Sequence, residues 1–152
     1  MNAETLEAAQ ILEILRLLPH RYPFVMVDRV IDIRGDESGV GIKNVTINEP
    51  QFLGHFPENP VMPGVLMIEG MAQTAAVLVL RLAKPSDSPA MFLLTIDKAK
   101  FRKPAVPGDR LEYHVRKTAN RRTMWWYQCE AKVGGTLVAE AELGAMFLEG
   151  KS

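Results

Sequence analysis

The longest apolar segment of this chain, residues 61–82, is the feature that most restricts the folds open to it. Pro63 and Gly64 open a helix near its start, and Glu69, Gln73 and Arg81 interrupt its apolar surface. A helix that is apolar on almost every side is buried, either in a protein core or in lipid. A carboxylate in the middle of a membrane span is costly. We therefore predict no membrane span and a central core helix over about residues 64–83.

Most of the remaining chain has the alternating, β-branched pattern of strands. A short segment over about residues 8–18 has apolar residues at helical spacing and ends at Pro19. The strand segments are residues 24–34, 38–46, 91–101, 110–119, 123–133 and 136–148, the last two joined by Gly134 and Gly135. Such a sheet must cover one face, and the long helix is the only large apolar element available. The pattern predicts an α+β fold, a mostly antiparallel sheet of about six strands wrapped around one central helix, in one domain over residues 1–152.

Composition excludes several classes of protein. The 18 basic residues equal the 18 acidic residues, so no net charge draws the whole chain to nucleic acid or membranes. A single cysteine, Cys129, excludes an internal disulfide and a cysteine-rich metal site, and it fits a reducing cytoplasm. The first ten residues contain two acids and no basic residue, unlike a signal or transit peptide. We expect a cytoplasmic protein with no metal, no cofactor and no nucleic-acid partner.

Residues 54–73, GHFPENPVMPGVLMIEGMAQ, contain the groups that chemistry can use. His55 lies in an irregular stretch, and an imidazole exchanges protons near neutral pH. The helix beginning at Gly64 has first-turn N–H groups without an intrahelical acceptor, which can receive an oxyanion. Glu69 follows among apolar neighbours, which predicts a raised pKa and a role as a general acid. Gln73 lies one turn further along the same face and can hydrogen-bond the Glu69 carboxylate.

Each of these residues also has a purely structural interpretation. A lone histidine in a loop is usually solvated, and a glutamate in an apolar helix more often marks a buried partner or an interface. Their combination favours function, because burying Glu69 unpaired costs several kcal/mol and no Lys or Arg nearby in sequence can pair with it. We therefore interpret His55 and Glu69 as an acid–base pair.

Four segments, in this order and spacing, resemble one known family. They are PHRYPFVMVDR (19–29), KNVTINE (43–49), GHFPENPVMPGVLMIEGMAQ (54–73) and DKAKFRKPAVPGD (97–109), within a match over residues 11–148. The chain is similar to the bacterial (3R)-hydroxyacyl-acyl-carrier-protein dehydratases of the FabZ type. The resemblance implies a hot-dog fold and dehydration of the hydroxyacyl thioester to the trans-2-enoyl thioester in type II fatty acid biosynthesis. It also implies a homodimer, often assembled as a trimer of dimers.

The resemblance also implies a role for particular residues. The family's catalytic histidine and glutamate map onto His55 and Glu69, and the two residues of one site come from different subunits. His55 is then the base that removes the C2 proton and Glu69 the acid that protonates the C3 hydroxyl, although sequence alone allows these roles to be exchanged. The backbone N–H of Gly64 polarises the thioester carbonyl, and Gln73 supports Glu69.

The expected partner is acyl carrier protein carrying a phosphopantetheine-linked acyl chain. We expect Arg102 and Lys103 to dock this acidic protein, and Met67, Met71 and Phe92 to line the acyl tunnel. Many relatives have tyrosine where this chain has Phe92, and alanine is common at the position of Gly70, where glycine is expected to loosen the helix slightly.

Several alternatives stay open at this point. His20, Arg21 and Asp28 are interpreted as structural residues near the first strand, and His114 as a surface residue. Rival activities on the same fold are a bifunctional dehydratase/isomerase, which typically has aspartate at the position of Glu69, and an acyl thioesterase. A non-catalytic acyl-thioester sensor is a third alternative.

Overall fold

The computed structural model describes residues 6–83 and 90–148. The ends of the predicted domain, residues 1–5 and 149–152, lie outside the described residues, as do residues 84–89. The described elements, in chain order, are β1 (Glu7–Ala9), α1 (Ile11–Leu17), β2 (Arg29–Arg34), β3 (Ser38–Asn44), a 3-10 helix (Pro50–Leu53), α2 (Gly64–Leu82), β4 (Ala90–Phe101), β5 (Arg110–Arg121), β6 (Met124–Val133) and β7 (Thr136–Leu148).

The strands form one antiparallel sheet in the order β1-β2-β3-β5-β6-β7-β4. Helix α2 contacts six of them, from β2 to β4. Six strands at a spacing of about 4.8 Å span about 24 Å, whereas a helix with its side chains is about 10–12 Å wide. One helix can touch all six only if the sheet curves around it, so the predicted wrapped sheet is confirmed.

Helix α2 is buried along most of its length, with Met71, Ala76, Val77 and Leu78 fully inaccessible. It is long and apolar enough to cross a membrane, yet 67% of its apolar window is buried inside the protein. Its place at the centre of the sheet accounts for its apolar sequence without a membrane. The observed bounds match the predicted helix to within one residue.

The N-terminal region differs from the prediction. The expected helix over residues 8–18 is shorter, and a seventh strand, β1, precedes it. Strand β1 pairs with β2, opposite Ile33 and Val30, and this pairing buries Ala9 completely. Tertiary pairing with an open sheet edge therefore overrides the helical spacing of this segment.

The first predicted strand begins later than expected, at Arg29 rather than residue 24. The Gln73 side chain explains the difference, because its amide bonds to the backbone oxygen of Phe24 at 2.7 Å and to the backbone N–H of Met26 at 2.8 Å. Two backbone groups that a strand would pair in the sheet are thus satisfied by a helix side chain. Residues 24–28 remain irregular and lie against α2.

Gly70 has a packing function that the sequence did not indicate. The ring of Tyr113, a fully buried residue of β5, lies against it so closely that a Cβ at this position would overlap the ring. The glycine therefore admits a large aromatic side chain to the helix surface. The expected loosening of the helix is not its main structural effect.

Candidate active site

His55 lies in a tight loop between the 3-10 helix and α2. The loop is closed by hydrogen bonds from the His55 N–H to the Gln51 carbonyl, at 3.0 Å, and from the Val61 N–H to the His55 carbonyl, at 3.1 Å. The imidazole Nδ1 lies 2.8 Å from the carbonyl oxygen of Val61. A carbonyl only accepts, so Nδ1 bears the hydrogen and donates it. The neutral ring therefore presents the lone pair of Nε2, which makes His55 suited to act as a base.

A buried ion pair anchors the chain before His55. Lys43 is only 5% exposed, and its Nζ lies 2.5 Å from Oε1 of Glu49. The Glu49 carboxylate also accepts hydrogen bonds from the Thr46 backbone N–H and the Gln51 side-chain amide, at 2.9 and 3.1 Å. Because the Gln51 carbonyl binds the His55 N–H, this network fixes where the histidine loop starts. Sequence reasoning missed it, although Lys43 and Glu49 bound the segment KNVTINE.

Glu69 projects from the second turn of α2, with 19% of its side chain exposed. Its Oε1 accepts a hydrogen bond of 2.9 Å from Nε2 of Gln73, as the one-turn spacing predicts. Gln73 is fully buried, and its other bonds hold it to the backbone of residues 24 and 26. The carboxylate is therefore oriented by a side chain that is itself fixed at both ends.

His20 is a titratable neighbour of Glu69. Sequence reasoning did not predict this contact. Its Nε2 lies 3.3 Å from Oε1 of Glu69, and its ring stacks on Phe24 at a centroid distance of 6.3 Å. The sequence interpretation of His20 as a purely structural residue is therefore incomplete. The available signal was its position in PHRYPFVMVDR, one of the four segments behind the family resemblance.

A cavity of about 530 Å³ opens beside His55 and the start of α2. Gly64 lies on its wall at the first position of the helix, where N–H groups have no intrahelical acceptor. A Cβ at Gly64 would come within 2.6 Å of the Phe101 ring, so the glycine also permits this close packing. The cavity thus combines an imidazole lone pair with a helix start that can stabilise an oxyanion.

The single chain brings together only some of the predicted site residues. His55, Gly64, Met67, Arg102 and Lys103 line the cavity. Glu69, Gln73, Met71 and Phe92 are not among its lining residues: Met71 lies fully buried in the core, and Phe92 is half-exposed on β4. Among the described residues, the His55 ring and the Glu69 carboxylate make no hydrogen bond or ion pair with each other.

The family model described as FabA-like domain matches residues 18–142, which is most of the chain. The chain belongs to the FabA-like family.

Two curated relatives agree closely with this FabA-like chain. A protein of Methylobacterium sp. (strain 4-46), named 3-hydroxyacyl-[acyl-carrier-protein] dehydratase FabZ, is 62% identical over 145 residues, covering 94% of this chain and 88% of the relative. A protein of the same name from Allorhizobium ampelinum is 60% identical over 148 residues, covering 97% of this chain and 96% of the relative.

Solved structures establish the fold of this FabA-like chain. The dehydratase heterocomplex ApeI:P from Xenorhabdus doucetiae has a TM-score of 0.74 at 20% identity, covering 90% of this chain and 91% of that one. A hypothetical thioesterase with coenzyme A from Streptococcus pneumoniae has a TM-score of 0.61 at 15% identity, covering 81% and 87%. The fold is the predicted hot-dog fold.

Two cations lie where the cavity of this FabA-like chain meets solvent. Arg102 is 45% exposed and pairs with Glu140 of β7 at 3.2 Å. Lys103 is exposed, and no ion pair of its side chain is found within the described residues. The neighbouring backbone N–H groups of both residues donate to the Val138 carbonyl, which fixes this corner of the chain to the sheet.

The remaining reactive groups lie outside the site. Burial raises the pKa of the Cys129 thiol far above its ordinary value, which removes it as a nucleophile. In residues 6–83 and 90–148, no group of three or more His, Cys, Asp or Glu residues could hold a metal ion.

Proposed function

We propose that this chain dehydrates (3R)-hydroxyacyl-acyl carrier protein to the trans-2-enoyl thioester and water, in the elongation cycle of type II fatty acid biosynthesis. The observation behind this proposal is that one cavity is lined both by His55, whose Nδ1 is held by the Val61 carbonyl, and by the start of α2 at Gly64. Removing a proton next to a thioester requires both a base and a site for the developing negative charge. The names of the curated relatives support the same reaction.

The reaction assigns one step to each group. His55 Nε2 takes the C2 proton, while the electrons of that C–H bond move toward the thioester carbonyl, whose oxygen is polarised by the Gly64 N–H. Breaking the C3–O bond forms the enoyl double bond, and Glu69 donates the proton that makes the departing hydroxyl into water. His55 ends with one more proton and Glu69 with one fewer, so exchange with solvent resets both. The reverse reaction, hydration, uses the same groups with the protons exchanged.

A homodimer is part of the proposal, because the cavity of one chain contains His55 without Glu69. Strand β4 is an edge strand of the sheet that the described residues form, and it presents Phe92, Leu94 and Ile96, each about half exposed. An exposed apolar edge strand is unusual unless another chain pairs with it. We assign this edge to a second copy, which brings the partner subunit's Glu69 to His55. The resemblance further supports a trimer of such dimers.

Acyl carrier protein is the proposed partner, and the cytoplasm is the proposed location of this protein. Its phosphopantetheine arm would enter past Arg102 and Lys103, which combine positive charge with a position at the mouth of the cavity. Met67 lines the cavity that receives the thioester, and we place Phe92 further along the acyl tunnel of the assembled dimer, whereas Met71 is fully buried in the core of one chain. No cofactor and no metal are required by these steps.

The proposal is tested by an assay of hydration. A trans-2-enoyl thioester of acyl carrier protein is the substrate, and the loss of the conjugated enoyl absorbance measures the rate. We expect turnover by the unmodified protein and a loss of about 10²-fold or more in both His55→Ala and Glu69→Gln. Unchanged rates in these variants would refute the assigned roles. Release of a free thiol would indicate the thioesterase instead, and formation of a 3-enoyl product the bifunctional isomerase.

A further inference from the structure

The neighbourhood of Glu69 contains a detail that the proposed reaction does not use. Both nitrogen atoms near the carboxylate, Nε2 of Gln73 at 2.9 Å and Nε2 of His20 at 3.3 Å, approach the same oxygen, Oε1. In the described residues, no hydrogen bond or ion pair is assigned to Oε2. The two oxygens of this carboxyl group are therefore in different environments.

The choice of His20 tautomer follows from burial. Its Nδ1 is buried and has no hydrogen-bond partner. A hydrogen on Nδ1 would bury an N–H without an acceptor, which costs about 1–3 kcal/mol, and would turn a lone pair toward Oε1. A hydrogen on Nε2 avoids both problems, because it leaves only a lone pair at Nδ1 and places the N–H on the nitrogen that lies 3.3 Å from Oε1 of Glu69. Stacking on Phe24 holds the ring in this orientation.

The position of the acidic proton follows in turn. An oxygen approached by two N–H donors cannot also hold a hydrogen along those directions. When Glu69 is neutral, its proton is therefore on Oε2, the oxygen without assigned partners. This is the oxygen free to face a substrate.

We propose that His20 is a positioning residue for the acid: its Nε2–H and the Gln73 amide together hold Oε1, so that Oε2 exchanges the proton with the substrate. The inference rests on the proposed function, because it gives meaning to the orientation of Glu69 only if Glu69 transfers a proton. His20 acts through Glu69 and does not itself touch the substrate.

Two substitutions distinguish the effect of the His20 N–H donor from the effect of its ring packing. His20→Gln keeps a donor near the position of Nε2 but removes the ring, whereas His20→Phe keeps the ring and its stacking on Phe24 but removes the donor. In the hydration assay we expect His20→Gln to retain kcat within about threefold, and His20→Phe to lose about tenfold to hundredfold in kcat with KM within about twofold. The pH–rate profile of His20→Gln should keep its wild-type shape, because the glutamine amide supplies an N–H donor at the same place.

The chain offers a matched control. His114 and Glu112 form a second histidine–carboxylate contact, at 3.1 Å on the outside of β5, and His114→Phe should leave kcat unchanged. If His20→Phe does not fold, His20→Asn replaces it. Its shorter amide cannot reach Oε1, so it should lose kcat where His20→Gln does not.

Three results would overturn the inference. The first is full activity of His20→Phe, and the second is an equal loss in the Gln and Phe variants. The third is a pH profile of His20→Gln that lacks one limb, which would make His20 a titrating group. His55→Ala and Glu69→Gln are measured alongside. If they are active, the proposed function fails; if they are inactive while His20→Phe is active, only the role of His20 fails.

Discussion

Two inactive variants of this protein should restore activity when they are combined in one dimer. His55→Ala and Glu69→Gln each remove one group of the proposed site, and the experiment co-expresses the two variants. In the structure, the cavity beside His55 has no Glu69 lining it, and the proposed site takes this carboxylate from another chain. A mixed dimer then has one site with both substitutions and one site with neither.

The expected magnitude follows from two-fold symmetry. With equal expression and random pairing, about half of the dimers are mixed and each has one intact site of two, so about one quarter of all sites are wild type. Each variant alone should retain about 1% of wild-type activity or less, since a general acid or base contributes about 10²–10⁴-fold. Further assembly into a trimer of dimers does not alter this fraction, because each site belongs to one dimer.

The assay is hydration of a trans-2-enoyl thioester, with activity normalised to total chain. A matched control combines wild type with the double variant that has both substitutions on one chain. There, mixed dimers have no intact site, so only the wild-type dimers work and activity falls to about one quarter of wild type. If each site lay within one chain, this control would show about one half, and the first mixture would stay at the level of its parents. That pair of results would refute the shared site.

Three further predictions concern the stability of the fold. Gly70→Ala should lower the free energy of unfolding by about 1–3 kcal/mol in urea denaturation, because its Cβ overlaps the Tyr113 ring, and Tyr113→Leu in the same chain should recover part of the loss. Lys43→Met removes the cation from a largely buried carboxylate that keeps its hydrogen bonds from Thr46 and Gln51, so it should cost about 1–3 kcal/mol and reduce turnover through the histidine loop. Lys98→Met, at an exposed pair, should cost less than about 1 kcal/mol. Burial alone would raise the pKa of Asp36, but hydrogen bonds from lysine and tryptophan side chains hold it below its ordinary value. The stability it adds is complete above its ordinary pKa of about 3.9 and is lost as pH falls through the lower folded value. Asp36→Asn should therefore weaken the protein at neutral pH and flatten its pH dependence in acid, measured by urea denaturation at several pH values; an unchanged acid dependence would contradict this assignment.

The central helix and the sheet around it were predictable because their signals are local and strong. The apolar surface of residues 64–82 leaves no alternative to burial, and the Gly134-Gly135 hairpin has positive φ at both residues, as its sequence predicts. Strand β1 was not predictable, since three residues give no period. The late start of β2 depends on Gln73, 47 residues further along the chain than Met26.

The candidate site, like the fold, was only partly predictable from the sequence. His55 and Glu69 were found from a short segment and a family resemblance, and the Glu69–Gln73 bond follows from helix geometry. His20 is separated from Glu69 by more than forty residues, and Gly70 from Tyr113 by a similar distance. Contacts of this kind depend on how α2 lies against its neighbours, and no spacing rule within one element predicts them.

The strand order has a consequence for how this protein folds. Strand β4 follows α2 in the chain, but within the described sheet it pairs with β7, which lies more than thirty residues further along the sequence. It cannot be placed until β5, β6 and β7 have formed, and such non-local pairing slows folding. The edge that we assign to the second copy is thus completed only when β7 pairs with β4, so a chain in which β7 is still unpaired lacks this edge. We expect dimerisation to select chains that have finished folding, and catalytic competence to appear with concentration-dependent kinetics during refolding.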